Sequence, residues 1–177
     1  FKTLARIDQS CVVKVPENVP LEIAAGVPSI YATAIYGLKE VARLRENSSI
    51  LIHNGAAALG QAVLQYARLL GAFIYTTVST VEERDLIISE YGIPPECIFS
   101  NRDLGFSKAV MRTTNAVGVN VVFNTLTGEA MQESLACVAP FGHFIHVSNK
   151  NALVETVIDL AAMQKCVTVT NVDIELL

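Results

Sequence analysis

From residue 49 onward, short apolar runs alternate with segments whose apolar residues recur every three or four positions. The first pattern suits buried strands and the second amphipathic helices. Ser49 to His53 is a short apolar run and predicts a strand. Gly60 to Leu70 predicts a helix, with Leu59, Val63, Tyr66, Ala67 and Leu70 on one stripe and Gly71 as its terminator. Phe73 to Val78 is rich in β-branched and aromatic residues and predicts a strand. Thr80 caps the next helix, and Glu83 three residues later completes a capping box. Pro94 and Pro95 then break the chain before a short strand, Cys97 to Phe99. A helix over Phe106 to Thr114, a strand over Val119 to Phe123, a helix over Glu129 to Val138 and a strand over Phe144 to Val147 follow. Asn151 to Met163 is helical or irregular, and Val167 to Val172 is the last strand.

The first 48 residues are less regular. Cys11 to Val15 predicts a strand and Pro16 to Pro20 a turn. Leu21 to Gly26 predicts a short helical turn. Pro28 suits the first turn of a separate helix carrying Ile30, Ala34, Leu38 and Val41.

Strands alternating with helices imply parallel strands joined by right-handed crossovers, hence an α/β fold. Strands apolar on both faces fit a sheet covered on both sides. Half of the 177 residues are hydrophobic (51%) and 17% are charged, enough for a sizeable core. A net charge of −4 without a basic cluster gives no footprint for nucleic acid or an anionic membrane. The apolar stretch from Leu21 to Ala34 is interrupted by Glu22, Pro28 and Ser29, which argues against a membrane span, and no signal peptide opens the chain. Cys11, Cys97, Cys137 and Cys166 match no zinc spacing and read as small buried residues in a reducing cytoplasm. His143 and His146, three apart on a strand, cannot converge on a metal. Ser134, Cys137 and His143 do not form a recognisable triad, and Tyr31 and Tyr36 read as core or interface residues.

Candidate chemistry gathers at the first strand-turn-helix, His53-Asn54-Gly55-Ala56-Ala57-Ala58-Leu59-Gly60-Gln61. A dinucleotide fingerprint places one glycine in the tight turn, a second where the backbone meets the pyrophosphate, and a third at the helix-strand contact. Gly55 and Gly60 take the first and third places, and Ala57 the second. The end of the second strand decides the ribose. An acid there favours a free 2′-hydroxyl and an arginine nearby suits a 2′-phosphate. Here Arg84 favours a phosphate, while Glu82 and Glu83 oppose it or simply serve the helix dipole.

Several stretches resemble the enoyl-reductase domain of fungal highly reducing polyketide synthases, within the medium-chain dehydrogenase/reductase superfamily. They are Ala25-Gly26-Val27-Pro28 with Tyr31 to Tyr36, Val41-Ala42-Arg43-Leu44, Ile52-His53 leading into Gly60-Gln61-Ala62, Ile98-Phe99-Ser100-Asn101-Arg102-Asp103, Asn124-Thr125-Leu126-Thr127-Gly128-Glu129, Val138 to Gly142, and Asn171-Val172-Asp173. The resemblance implies a Rossmann-type doubly wound parallel sheet over residues 21–177, preceded over residues 1–20 by the end of a GroES-like substrate-binding subdomain. It implies an NADPH-dependent reduction of an enoyl thioester held on an acyl carrier protein. Gly55, Ala57, Gly60, Ser79, Thr80, Arg84, Asn124 and Ser148 then fall on the cofactor, and Asn149 and Asp173 at the catalytic positions.

The chain departs from the family's pattern at those places. The middle glycine is Ala57, a glycine after the second strand is Ser79, a phosphate-binding lysine is Glu83, a nicotinamide-lining glycine is Ser148, and the lysine that serves as proton donor or hydrogen-bond partner is Asn149. A positioned acid is worth roughly 10²–10⁴ in rate. The departures imply a decayed site, in which the domain is a scaffold within the synthase and a trans-acting partner performs the reduction. Two alternatives remain: a working NADPH-dependent reductase, with Lys150 standing in for the lost lysine, and a free-standing quinone or alcohol reductase of the same superfamily.

Overall fold

A computed structural model describes residue 4, residues 6–147 and residues 164–173. β-branched and apolar runs build six strands: β1 (Ser49–Ile52), β2 (Phe73–Val78), β3 (Ile98–Ser100), β4 (Val119–Asn124), β5 (Val138–His146) and β6 (Thr168–Asn171). They form one parallel sheet in the order β3-β2-β1-β4-β5-β6. Among the described residues five α-helices accompany it: α1 (Leu21–Ile35), α2 (Ala58–Leu69), α3 (Val81–Tyr91), α4 (Gly105–Thr113) and α5 (Gly128–Ala136).

The two-residue period of the strands divides the core. Ile50 and Ile52 of β1 face one side, with Ala34 and Leu38 of the first helical segment and Val63 and Leu64 of α2. Leu51 faces the other, with Val110 of α4 and Met131 and Leu135 of α5. Strand order reverses between β1 and β4, which leaves a crevice beyond the carboxyl ends of the strands, where ligands of open α/β sheets bind.

Helices and strands from residue 49 onward lie within a few residues of their expected bounds, except that β5 is longer, beginning at Val138. The segment Asn151 to Met163 lies outside the described residues. The N-terminal expectations need correction. Gln9–Cys11 forms a 3₁₀ turn, and Val12 to Val15 is not a strand, since no described segment pairs with it. The expected break at Gly26 is absent, and Pro28 lies inside α1. The helix starts earlier, at Pro20, whose carbonyl accepts from the amides of Ile23 and Ala24. Pro28 sits on the exposed side, where its missing N–H costs one helical bond and no packing. α1 then runs into a π-helix, Tyr36–Val41, giving 21 continuous residues that contain an 18-residue window of mean hydropathy 1.2. By length and composition that helix is long and apolar enough to cross a membrane, contrary to the reading of a broken stretch. Its buried residues Thr33, Ala34, Gly37 and Leu38 pack inside the protein.

Candidate functional site: the crevice beyond β1 and β2

The turn after β1 is shaped by three small residues. Asn54 adopts φ 54°, a left-handed conformation that asparagine tolerates better than most residues. The Gly55 amide then donates to Thr77 O (3.0 Å) and the Ala57 amide to Asn54 O (3.0 Å). A Cβ on Gly55 would stand 2.1 Å from Thr76 Oγ1, and one on Gly60 would stand 2.2 Å from Asn54 O. Both glycines are therefore demanded by protein packing alone. Ala57 differs: it is exposed, with ordinary φ −68° and ψ 158°, at the N-cap of α2. Its side chain makes no capping bond, so the first amides of α2 remain turned to the crevice, the usual setting for a pyrophosphate.

Two polar networks hold this turn. Asn54 Nδ2 donates to Thr125 Oγ1 (2.8 Å) after β4, and Asn54 Oδ1 accepts from Asn101 Nδ2 (2.6 Å) after β3. Three loops are thus tied across the mouth of the crevice. Beneath it, the Asn54 amide donates to Thr77 Oγ1 (3.2 Å), and Thr77 Oγ1 lies 3.0 Å from His53 Nδ1. Ser134 Oγ donates to Ala130 O (2.5 Å), so it accepts from His53 Nε2 at 2.8 Å. This assigns the proton to Nε2 and makes Nδ1 the acceptor of the Thr77 hydroxyl. His53 is 1% exposed, lies edge-on to Phe106 (5.1 Å between ring centres), and burial pushes its pKa down to about 3.

The end of β2 is equally self-contained. The Glu83 amide donates to Thr80 Oγ1 (3.2 Å), as the capping box requires. The Glu83 carboxylate reaches one residue further back than expected, accepting from the Ser79 amide at 2.6 Å. Arg84 is not turned toward a ribose phosphate. Its guanidinium donates to Ile98 O (2.8 Å) and Pro95 O (2.7 Å), tying α3 to the start of β3. Arg102, which the sequence reading passed over although it stands in the Ile98 to Asp103 stretch, donates from Nε to Ser79 O at 2.5 Å. Ser79, Thr80, Arg84, Ser100 and Arg102 line a cleft of about 210 Å³. Glu82, fully exposed, is held below the usual carboxylate range by the helix amide and Thr80, with Arg102 adding to the effect.

The other anticipated positions divide. Asn124 is 0% exposed, and its side chain is used internally: Nδ2 donates to Leu126 O (2.8 Å) and lies 2.9 Å from His146 Nδ1, while Oδ1 accepts from the Leu126 amide (3.3 Å). It is a brace of the β4 end rather than an open ligand contact. Asp173 lies half-buried just past β6. Ser148, Asn149 and Lys150 lie outside the described residues. Ser134 pairs with His53, and no triad with His143 forms. Cys137 is buried as expected, but Cys97 is only half-buried and Cys166 is exposed. Among the described residues no three His, Cys, Asp or Glu side chains come together to hold a metal ion.

These residues fit the central part of a dinucleotide, with a glycine-shaped turn and an uncapped helix start. They do not fit a 2′-phosphate, because the strand-end amide already holds a carboxylate and Arg84 is committed elsewhere.

Residues 58–174 match the zinc-binding dehydrogenase family. Highly reducing polyketide synthase 40 of Fusarium mangiferae is 39% identical over 177 residues, which are 100% of this chain and 7% of that protein. The chain thus spans a small part of the curated relatives it matches. The X-ray structure of the nucleotide-binding subdomain of the enoylreductase domain of PpsC from Mycobacterium tuberculosis is 33% identical with a TM-score of 0.77, covering 84% of this chain and 81% of that one. The crystal structure of CurK enoyl reductase is 31% identical with a TM-score of 0.80, covering 92% of this chain and 47% of that one.

Proposed function

The chain belongs to the zinc-binding dehydrogenase family, as the nucleotide-binding part of a polyketide synthase enoyl-reductase domain, and from that premise we propose that it has kept the fold of the cleft and lost the reduction. It serves as a structural piece of a multidomain synthase, packed among the other domains of that protein. Enoyl reduction of the carrier-protein-bound intermediate then falls to a separate partner. Residues 1–20 are the end of the substrate-binding subdomain in this reading.

One observation carries it. The two retained glycines, Gly55 and Gly60, are those that packing demands, whereas the replaced one, Ala57, is exposed and ordinary in backbone. A fold maintained after the reduction is lost keeps the first kind and releases the second. Asn149, in place of the lysine expected as proton donor or hydrogen-bond partner, agrees.

The alternative, an active NADPH-dependent enoyl-thioester reductase, draws on the uncapped start of α2 and on Arg102 in the ribose cleft. In that alternative the protein's own residues orient the ligand: the α2 amides face the pyrophosphate, and Asn54 holds the loops around it. When bound, a reduced nicotinamide supplies the hydride.

The test is turnover of an enoyl thioester by the parent synthase with NADPH and with NADH. The expected result is no reduction with either, and no NADPH binding up to millimolar concentration, in a protein that melts cooperatively. Turnover with a micromolar NADPH dissociation constant would reinstate the active reductase.

A further inference from the structure

We propose that Glu83 makes the adenosine end of the cleft selective for a dinucleotide whose ribose carries no 2′-phosphate, so that NADH is the ligand class and NADPH is excluded. The inference rests on the reading of this crevice as a dinucleotide site and names the ligand of that same site.

In this fold the residues following the second strand meet the adenosine ribose. Here they are Ser79 and Thr80, which line the 210 Å³ cleft. A 2′-phosphate needs backbone and hydroxyl donors and a cation at that point. The Ser79 amide is already held by Glu83 Oε2 at 2.6 Å, and the Thr80 hydroxyl, whose oxygen accepts from the Glu83 amide at 3.2 Å, interacts with the Glu82 carboxylate. A carboxylate is thus already bound to the backbone amide that a 2′-phosphate would need. The cations do not redress this. Arg84 donates to Ile98 O and Pro95 O. Arg102 donates from Nε to Ser79 O, and the exposed Glu82 carboxylate interacts with it. Two acids therefore meet one arginine with donors to offer.

A free ribose hydroxyl reverses the balance, since it donates to a carboxylate and carries no charge. Glu83 Oε1 makes no hydrogen bond among the described residues, leaving an acceptor beside the one that holds Ser79. Glu83 owes its position to the capping box, so the same side chain serves the helix and the discrimination.

The experiment is a titration of the full chain with NADH and with NADPH, followed by the fluorescence of the reduced nicotinamide, against which a chain with no Trp gives little background. The unmodified chain is expected to bind NADH at least tenfold more tightly than NADPH. Glu83→Gln, which keeps an acceptor for the Ser79 amide, is expected to narrow that ratio at least fivefold by tightening NADPH. Equal or tighter binding of NADPH to the unmodified chain overturns the inference and leaves the dinucleotide site standing, as does a ratio unmoved in a normally melting Glu83→Gln. Failure of both nucleotides to bind a folded chain overturns the site and the inference together. The unmodified ratio decides the matter even if the variant does not fold.

Discussion

Ser134 on α5 and His53 at the end of β1, 81 residues apart in the chain, share a buried hydrogen bond of 2.8 Å. With Thr77 on the other ring nitrogen, His53 is fully satisfied as a neutral imidazole. Protonation would place two donors against Thr77 and charge a group that is 1% exposed.

A pH dependence of stability follows. The folded pKa of about 3 lies below the ordinary 6.5, so the unfolded chain binds the extra proton between those values. The stabilisation is complete above pH 6.5 and is lost as the pH falls toward 3, at up to ~1.4 kcal/mol per pH unit. Burial depresses His143 and His146 as well, and they act in the same direction. Urea unfolding between pH 5 and pH 8 (roughly the span in which histidine titrates) should show the decline, and His53→Gln should flatten part of it. An unchanged slope in that variant would remove His53 from the account.

The fingerprint positions should separate in stability. Gly60→Ala forces a methyl against the Asn54 carbonyl and should cost about 3 kcal/mol or more, since backbone cannot give way cheaply. Ala57→Gly should change stability by less than ~1 kcal/mol, because glycine is at least as good an N-cap as alanine. Thermal melts of the two variants are the measurement. Equal losses would contradict the division between glycines kept for packing and a position released.

Arg84 should prove structural. Arg84→Ala deletes two charge-assisted bonds to Ile98 O and Pro95 O and should lower stability by about 1–3 kcal/mol. Nucleotide affinity should move less than twofold, read by the same fluorescence titration. A selective loss of NADPH binding at unchanged stability would return Arg84 to the cofactor.

The thiols should differ in reactivity. Burial, assisted by Glu133, pushes the Cys137 pKa up to about 12, and burial also raises that of half-buried Cys97. Cys166 is exposed. Brief alkylation near neutral pH should label Cys166 first and leave Cys137 unmodified until the chain unfolds, with peptide mass mapping as the readout.

Local signals in the chain were good guides where neighbouring residues decide the outcome. Thr80 and Glu83 do cap α3, Gly71 does end α2 with φ 73°, and the strand runs do pair in parallel. The misreadings arose where distant groups decide. Pro28 suggested a helix start, but Pro20 carbonyl bonds had already nucleated the helix upstream. Cys11 to Val15 has strand composition and no described neighbour to pair with. Arg84 and Arg102 are indistinguishable by charge and both line the cleft; only the positions of the Pro95, Ile98 and Ser79 carbonyls show where each guanidinium is bonded. The His53–Ser134 bond joins residues 81 apart in the chain and leaves no trace in residue spacing.

The Asn54 brace gives the crevice a thermodynamic character of its own. Its amide already links Thr125 and Asn101, so a ligand entering between those loops exchanges existing hydrogen bonds for new ones. A ligand that displaces the brace gains little net enthalpy at this point of contact. The driving force then falls to water released from the cleft walls and to the helix amides beyond, a division that calorimetry would read out.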